Sequence, residues 1–367
     1  MSIGRLNNFK RSGVSFEPAA NVTAIENATA SGPNYAIWTT AGDNGALSAG
    51  GTKNLARSEH GVRVIAPSAN PPKFTSNPIT YWIVGGGGGG SSGNTAGGGG
   101  GAGGYKSGSF TIGSTPISVI VGWGGTGTNP TVRDGYAGLW PGIPDIGQGA
   151  PTILGSNEAL GGGKGAMGGS STGNSAGPPV GNAGDGASGG GGGRFHPNAG
   201  TGTAGVGNPG GTAGGGCPSY GSGGGGGVAG AGENFACHPQ SLAGRGGDGV
   251  QCPTTFRPFG YGAKGPGSPT GYFCGGGGGS NWNQTNVQHG GYGGGAGWQN
   301  PDGTLDPGVA GIQTVNAYPN SGGGGGGSGS VTNPLGEVTV PWPGIGSTTI
   351  PVYRGGNGGD GIIMITW

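Results

Sequence analysis

Four cysteines, Cys217, Cys237, Cys252 and Cys274, fall within 58 residues of one another and form the densest group of soft, redox-active side chains in the sequence. Their spacing contains no C-x-x-C pair and no finger-like pair of histidines, so it does not point to zinc. Cys237 and His238 are adjacent and His196 lies upstream, which leaves a mixed site as one reading. The others are disulfides that tie loops together, forming only in oxidising surroundings, and four small buried thiols.

Other reactive patterns are thinner. "GGGKGA" at 161–166 lacks a Ser or Thr after Lys164 and the four-residue spacer of a P-loop, and G-x-G-x-x-G patterns arise by chance where glycine is this dense. Asp134, Asp145 and Glu158 share a loop-rich region, but a hydrolase needs two carboxylates at a set separation that this spacing does not supply. No catalytic residue, cofactor or metal ligand is assigned. The formal charge of +1 includes no basic stripe, which argues against nucleic acid as a partner.

The remaining candidates are aromatic. "GRFHPNAG", "ENFACHPQ", "TTFRPFGYGAKG", "GYFCG", "SNWNQTNVQHGGYG" and "GWQNPDG" place Phe195, His196, Phe235, Phe256, Phe259, Tyr261, Tyr272, Trp282, Tyr292 and Trp298 between glycine runs. Flat rings among Asn, Gln and His can stack on sugars and bond their hydroxyls, and loops on a rigid scaffold are where recognition is usually built. The same rings could instead cap the ends of a backbone-only core, keeping water from its terminal amides. Both readings stand.

What must position these rings is unusual. Of 367 residues, 105 are glycine and 28 proline, yet only eight glycines fall in residues 1–84 and eight in 331–367. Disorder is the default for such composition, but disordered chains carry high net charge and few aromatics, whereas here 8% of residues are charged and eight are tryptophan. Collagen needs glycine at every third position without a break, and the sequence has no such register. The longest runs, 85–90, 97–101, 189–193, 223–227, 275–279 and 322–327, are all five or six residues long. In the polyproline-II conformation, at about 3.1 Å per residue, each would span roughly 15–19 Å. Glycine backbones can approach closely enough for outward amides to bond neighbours on every side. Ordering costs about 1–2 kcal/mol per residue against about 1 kcal/mol returned per hydrogen bond, so nearly every interior amide must be paired. Pure runs belong inside such a bundle and mixed stretches such as 200–211 outside.

Short segments rich in β-branched and aromatic residues predict strands at Thr80–Val84, Gly108–Ile112, Pro116–Val121 and Pro151–Leu154 and in the final "GIIMITW" from Gly361. No segment has helical period. The expected fold is mainly β and irregular: a polyglycine-II helix bundle packed with a small antiparallel β portion, the C-terminal segment pairing near the start of the glycine region. The expected organisation is an attachment segment at 1–79, a β portion leading into the first glycine helices at 80–160, the bundle with its aromatic loops at 161–330, and closing strands at 331–367.

"TYWIVGGGGGGSSGNTAGGGGGAGGYKSGSFTIGSTPISVIVGWGG", then "PTILGSNEALGGGKGA", closed by "GGNGGDGIIMITW", resembles the glycine-rich domains of bacteriophage tail-fibre and other virion proteins and of some bacterial surface proteins. The resemblance covers about 80–367 and extends to the adhesins at the long-tail-fibre tips of T-even phages. It implies a polyglycine-II sandwich whose loops contact host surface molecules. Residues 1–84 and the larger β portion depart from that adhesin pattern.

The N-terminus has no apolar core of a secretory signal, and no 18-residue apolar stretch spans a membrane. A virion component assembled in the host cytoplasm fits this. The expectation is a non-enzymatic tail-fibre or fibre-tip adhesin that binds host glycan or outer-membrane protein and joins other virion proteins through residues 1–79, with a homo-oligomer as a further expected assembly. The alternative is a capsid, tail or fibre protein with a purely structural role and no receptor.

Overall fold

A computed structural model describes residues 22–25, 35–39, 62–65, 78–91, 96–111, 117–127, 147–168, 181–194, 196–214, 221–236, 242–263, 271–281, 290–291, 294, 316–328, 337–342, 346–351 and 355–366. Among them are thirteen short strands: β1 (Val22–Ile25), β2 (Tyr35–Trp38), β3 (Val62–Ile65), β4 (Ile79–Val84), β5 (Tyr105–Phe110), β6 (Ile117–Ile120), β7 (Thr152–Leu154), β8 (Asn157–Ala159), β9 (Val250–Gln251), β10 (Tyr272–Phe273), β11 (Glu337–Trp342), β12 (Gly346–Pro351) and β13 (Ile362–Thr366). The only helical element in these residues is a 3₁₀ turn at Arg257–Phe259, ended by Gly260 at φ 74°. The described chain is thus strands and irregular backbone with essentially no α-helix, as its composition predicts.

Two antiparallel sheets carry most of the strands, in the orders β1-β2-β13-β4-β5 and β3-β6-β7-β8. Alternation along the strands explains how they pack. Trp38, Tyr81, Ile83, Ile363 and Ile365 face one way, onto Val119, Val121, Leu154 and Ala159 of the second sheet and its margins. Ile37, Trp82, Val84, Ile362 and Met364 face the other way, onto Cys252, Phe256, Phe273 and Cys274. The centre of the first sheet is therefore covered on both faces, which is why Ile362–Ile365 reads as a continuous apolar run and Ile362–Thr366 is buried throughout, while the edge strand β5 stays largely exposed. Fully burying each of its large side chains contributes about 1.5–3 kcal/mol.

The expected pairing of the C-terminal segment with the start of the glycine region is present: Ile362 lies opposite Val84 and Thr366 opposite Thr80. Strand β5 begins three residues before the expected Gly108, because β4 pairs along its whole length and draws Tyr105 opposite Val84. Residues 1–79, expected as an attachment segment, also supply β1, β2 and β3 to these two sheets.

Beyond Val84 the backbone continues into Gly85–Gly90, all buried. Gly85, Gly88 and Ser91 donate to the carbonyls of Gly104, Gly101 and Gly98, Gly86 and Gly89 to Ala150 and Gly147, and Gly87 and Gly90 to Gly359 and Gly356, all at 2.8–2.9 Å. Each set steps by three residues and runs antiparallel. In return Gly86 and Gly89 accept from Gly162 and Gly165, Gly88 and Ser91 from Gly325 and Ser328, and Gly87 from Gly125. One tract therefore bonds chain on six sides. Residues 97–104 repeat the pattern, every amide donating to a backbone carbonyl. The glycines of all six long runs are buried, while most of 200–211 is exposed or half-buried.

Candidate functional site

The glycine tracts have two ends, and the candidate residues divide between them. At the sheet end β4 enters its tract, Gly104 leads into β5, and Gly104 donates to Leu160, which follows β8. At the far end lie Ser91, Gly97, Ala166, Gly193, Ser222, Ser280 and Ser328, joined by bonds such as Ser91 N to Gly98 O, Gly98 N to Ala166 O and Ser328 N to Ser91 O.

Phe256, Phe259, Tyr261 and Tyr272 are at the sheet end. Phe256, 1% exposed, is a core residue beneath the sheet, with Phe259 and Tyr261 half-buried against the same cluster. Phe256 is thus not available as a receptor contact, and its ring, 6.1 Å from that of Phe259, packs in one apolar cluster with Trp82, Val84 and Phe273. Tyr272 is half-buried on β10.

His196 and Phe235 are at the far end. His196 exchanges two backbone bonds with Gly193, and its imidazole fills the space beside Gly181. Phe235, 8% exposed, lies over Gly214 and Gly221, where any added Cβ would overlap its ring. Gly221 bridges both Gly214 and Asn281. Phe195, Trp282, Tyr292 and Trp298 lie outside the described residues, but Arg194, His196 and Asn281, which flank Phe195 and Trp282, belong to this far end.

Cys252 and Cys274 are free and buried. The hairpin register, Gln251 opposite Tyr272 and Val250 opposite Phe273, sets Cys274 three positions along the ladder from Cys252, about 10 Å at the usual strand rise. That exceeds what a disulfide spans, so these two do not bridge each other. Burial pushes the Cys252 thiol up to about 11 against the opposing charge of Arg257, and raises that of Cys274 as well. Both stay protonated and poorly nucleophilic at neutral pH. Cys217 and Cys237 lie outside the described residues.

Among the described residues no three His, Cys, Asp or Glu side chains group as metal ligands. Asp134 and Asp145 lie outside those residues, and Glu158 is exposed on β8. The "GGGKGA" segment does not cradle an anion: Gly162, Gly163, Gly165 and Ala166 donate their amides to Gly86, Ser188, Gly89 and Gly191. Lys164 N donates to Gln148 Oε1 at 2.6 Å.

Polar residues that the sequence reading passed over prove important here. Ser91, Ser188, Ser222, Ser280, Ser321 and Ser328 are buried, and one or two of them adjoin five of the six longest runs. At the far end the Ser222 hydroxyl donates to Gly97 O at 2.7 Å and accepts from Ser280 N at 2.7 Å. Serine directly beside a run was the available signal. A second device stands at tract edges, where a side-chain oxygen takes the place of a neighbouring carbonyl: Gly124 N donates to Asp360 Oδ1 at 2.7 Å and Gly127 N to Asn357 Oδ1 at 2.8 Å. "GGNGGDG" thus works through the same three-residue step as the tracts.

No helix among the described residues is long and apolar enough to cross a membrane. Comparison with protein-family models and with curated proteins finds no match to this chain.

Proposed function

We propose that the chain is a bacteriophage virion protein without enzymatic activity, a tail-fibre or fibre-tip adhesin whose glycine tracts form a polyglycine-II bundle. The bundle acts as a stiff spacer. It holds receptor-contacting loops away from the β portion, where the N-terminal strands β1, β2 and β3 join the sheets and from which the chain attaches to other virion proteins. One observation carries this reading: the tract that leaves β4 bonds chain on six sides with a three-residue step, a rigidity that a mere linker does not need. His196 and Phe235 mark the end remote from the sheets, with the loops holding Phe195 and Trp282 rooted beside them. The receptor is a host glycan or an outer-membrane protein.

A second reading, structural decoration without a receptor, is favoured by the burial of Phe256 and the packing of Phe259 and Tyr261 as internal caps. Cell binding separates the two. Purified full chain is expected to coat susceptible cells and to reduce plating by phage that carry it. Absence of any cell binding, with the chain still found on particles by imaging, would establish the decoration reading. Release of reducing sugar or peptide from envelopes would refute the non-enzymatic assignment.

A further inference from the structure

We propose a saccharide-binding strip on the solvent side of strand β5, separate from the far-end loops. Strand β5 is the outermost strand of the five-stranded sheet. Residues two apart on it share a face, so Tyr105, Ser107 and Ser109 stand on the face shared by their β4 partners Val84, Trp82 and Thr80. Lys106 and Phe110 take the opposite side, where Phe110 packs against Tyr81.

The strip has a rigid aromatic platform. Tyr105 is stacked on Trp82 with ring centroids 4.5 Å apart and planes 22° apart. Trp82 is itself held edge-on by Phe273 at 6.2 Å and is 3% exposed, while Tyr105 is 38% exposed. One face of the phenol is therefore occupied by the indole, and the exposed remainder is presented to solvent without freedom to swing. A pre-ordered ring loses little entropy on binding, and its apolar face with a polar tip suits the C–H face and hydroxyls of a sugar.

Past the ring, the same face turns from apolar to hydroxyl-bearing. Thr80, Ser107 and Ser109 are all exposed. Ser107 and Ser109 are about 7 Å apart along the strand, and Thr80 stands directly opposite Ser109. An aromatic ring followed by three neutral hydroxyls, with β4 and β5 themselves placing no charged side chain on that face, matches an uncharged saccharide chain. Hydroxyls with no cation beside them on these strands suit a neutral sugar better than a phosphate. On the opposite side Phe110 is half-buried against the core cluster, and β5 is held to β4 along its whole length.

The test is electrophoresis of the full chain through native gels containing dextran, mannan or galactan. Retardation in at least one of the gels is expected. Tyr105→Ala should weaken it about tenfold, and Tyr105→Phe, which keeps the stack, should retain it. A Thr80→Lys, Ser109→Lys pair blocks the strip at two residues that stand opposite each other and not opposite Trp82, so a loss there that matches the loss in Tyr105→Ala excludes a folding artefact. No retardation in any gel, or retardation unchanged in both Tyr105→Ala and the double lysine variant, would overturn the proposal. Whole-cell binding that persists in variants that have lost retardation would support a strip separate from the far-end receptor site.

Discussion

Asp360 illustrates how single side chains complete a core that has almost none. Its carboxylate accepts the Gly124 amide, and burial raises its pKa above the usual carboxylate range, with that bond pulling the other way. A folded pKa above the unfolded one means that the folded state holds the proton more tightly. Stability from this group is then fully present below the unfolded value and is lost as pH rises through the folded one. Asp360→Asn keeps an oxygen for Gly124 and removes the charge, so at neutral pH the variant should match or exceed the parent in urea unfolding. The difference should close below about pH 4, where the unfolded carboxyl is protonated. A variant that is less stable than the parent at pH 7 would show that the charge itself strengthens the bond. A second residue-scale expectation concerns close approach. A Cβ on Gly100 would overlap the carbonyl oxygen of Gly88, whereas one on Gly230 has Asp248 N as its nearest neighbour, at 3.6 Å. Gly100→Ala should cost about 3 kcal/mol or more, and Gly230→Ala about 0.5 kcal/mol or less. Equal melting temperatures for the two would contradict the packing.

Among the elements, the glycine tracts and the strands form one bonded body. Gly85 to Ser91 follow directly from β4, and Gly355–Gly361 lead directly into β13. A strand anchored by Ile83 and Ile363 thereby sets the register of a tract that has no side chains to set its own. Amide hydrogen exchange followed by mass spectrometry should find residues 85–91 and 97–104 as slow as β13, since buried, paired amides open only with the surrounding structure. Exchange in seconds through those tracts, beside a slow β13, would mean that the glycine region is not a folded unit. The serines beside the runs belong to this scale too. With neither Cβ branching nor bulk, they enter the lattice, and Ser222 and Ser280 bond it crosswise through Gly97.

For the whole molecule, strand order has the largest consequence. Strand β13 lies between β2 and β4, pairing with both, although it follows them by more than 270 residues in the sequence. The central strand of the main sheet is thus the last described strand to be made, and the tract ahead of it completes the surroundings of Gly87 and Gly90. Such long-range pairing is slow to form. Removing residues 362–367 should abolish the cooperative unfolding transition and leave β4 amides unprotected. A truncated chain that still melts cooperatively near the parent temperature would show that the other strands close the sheet without β13.

How much of this the sequence determined follows from where side chains are. Alternating and apolar segments marked β4, β6, β7 and β13 to within two residues, because burial on a sheet face is written in residue type. Run lengths and the absence of charge predicted an ordered glycine region for the same kind of reason. The partners of each tract were not legible. A glycine backbone offers identical amides at every position, so one run can bond any other, and only the connecting loops, the flanking serines and the strands select among them. Phe256 and Phe235 likewise read alike as rings between glycines. Tertiary structure alone decided that one lies under the sheet and the other at the far end, since the direction in which each tract runs depends on the neighbours that it bonds.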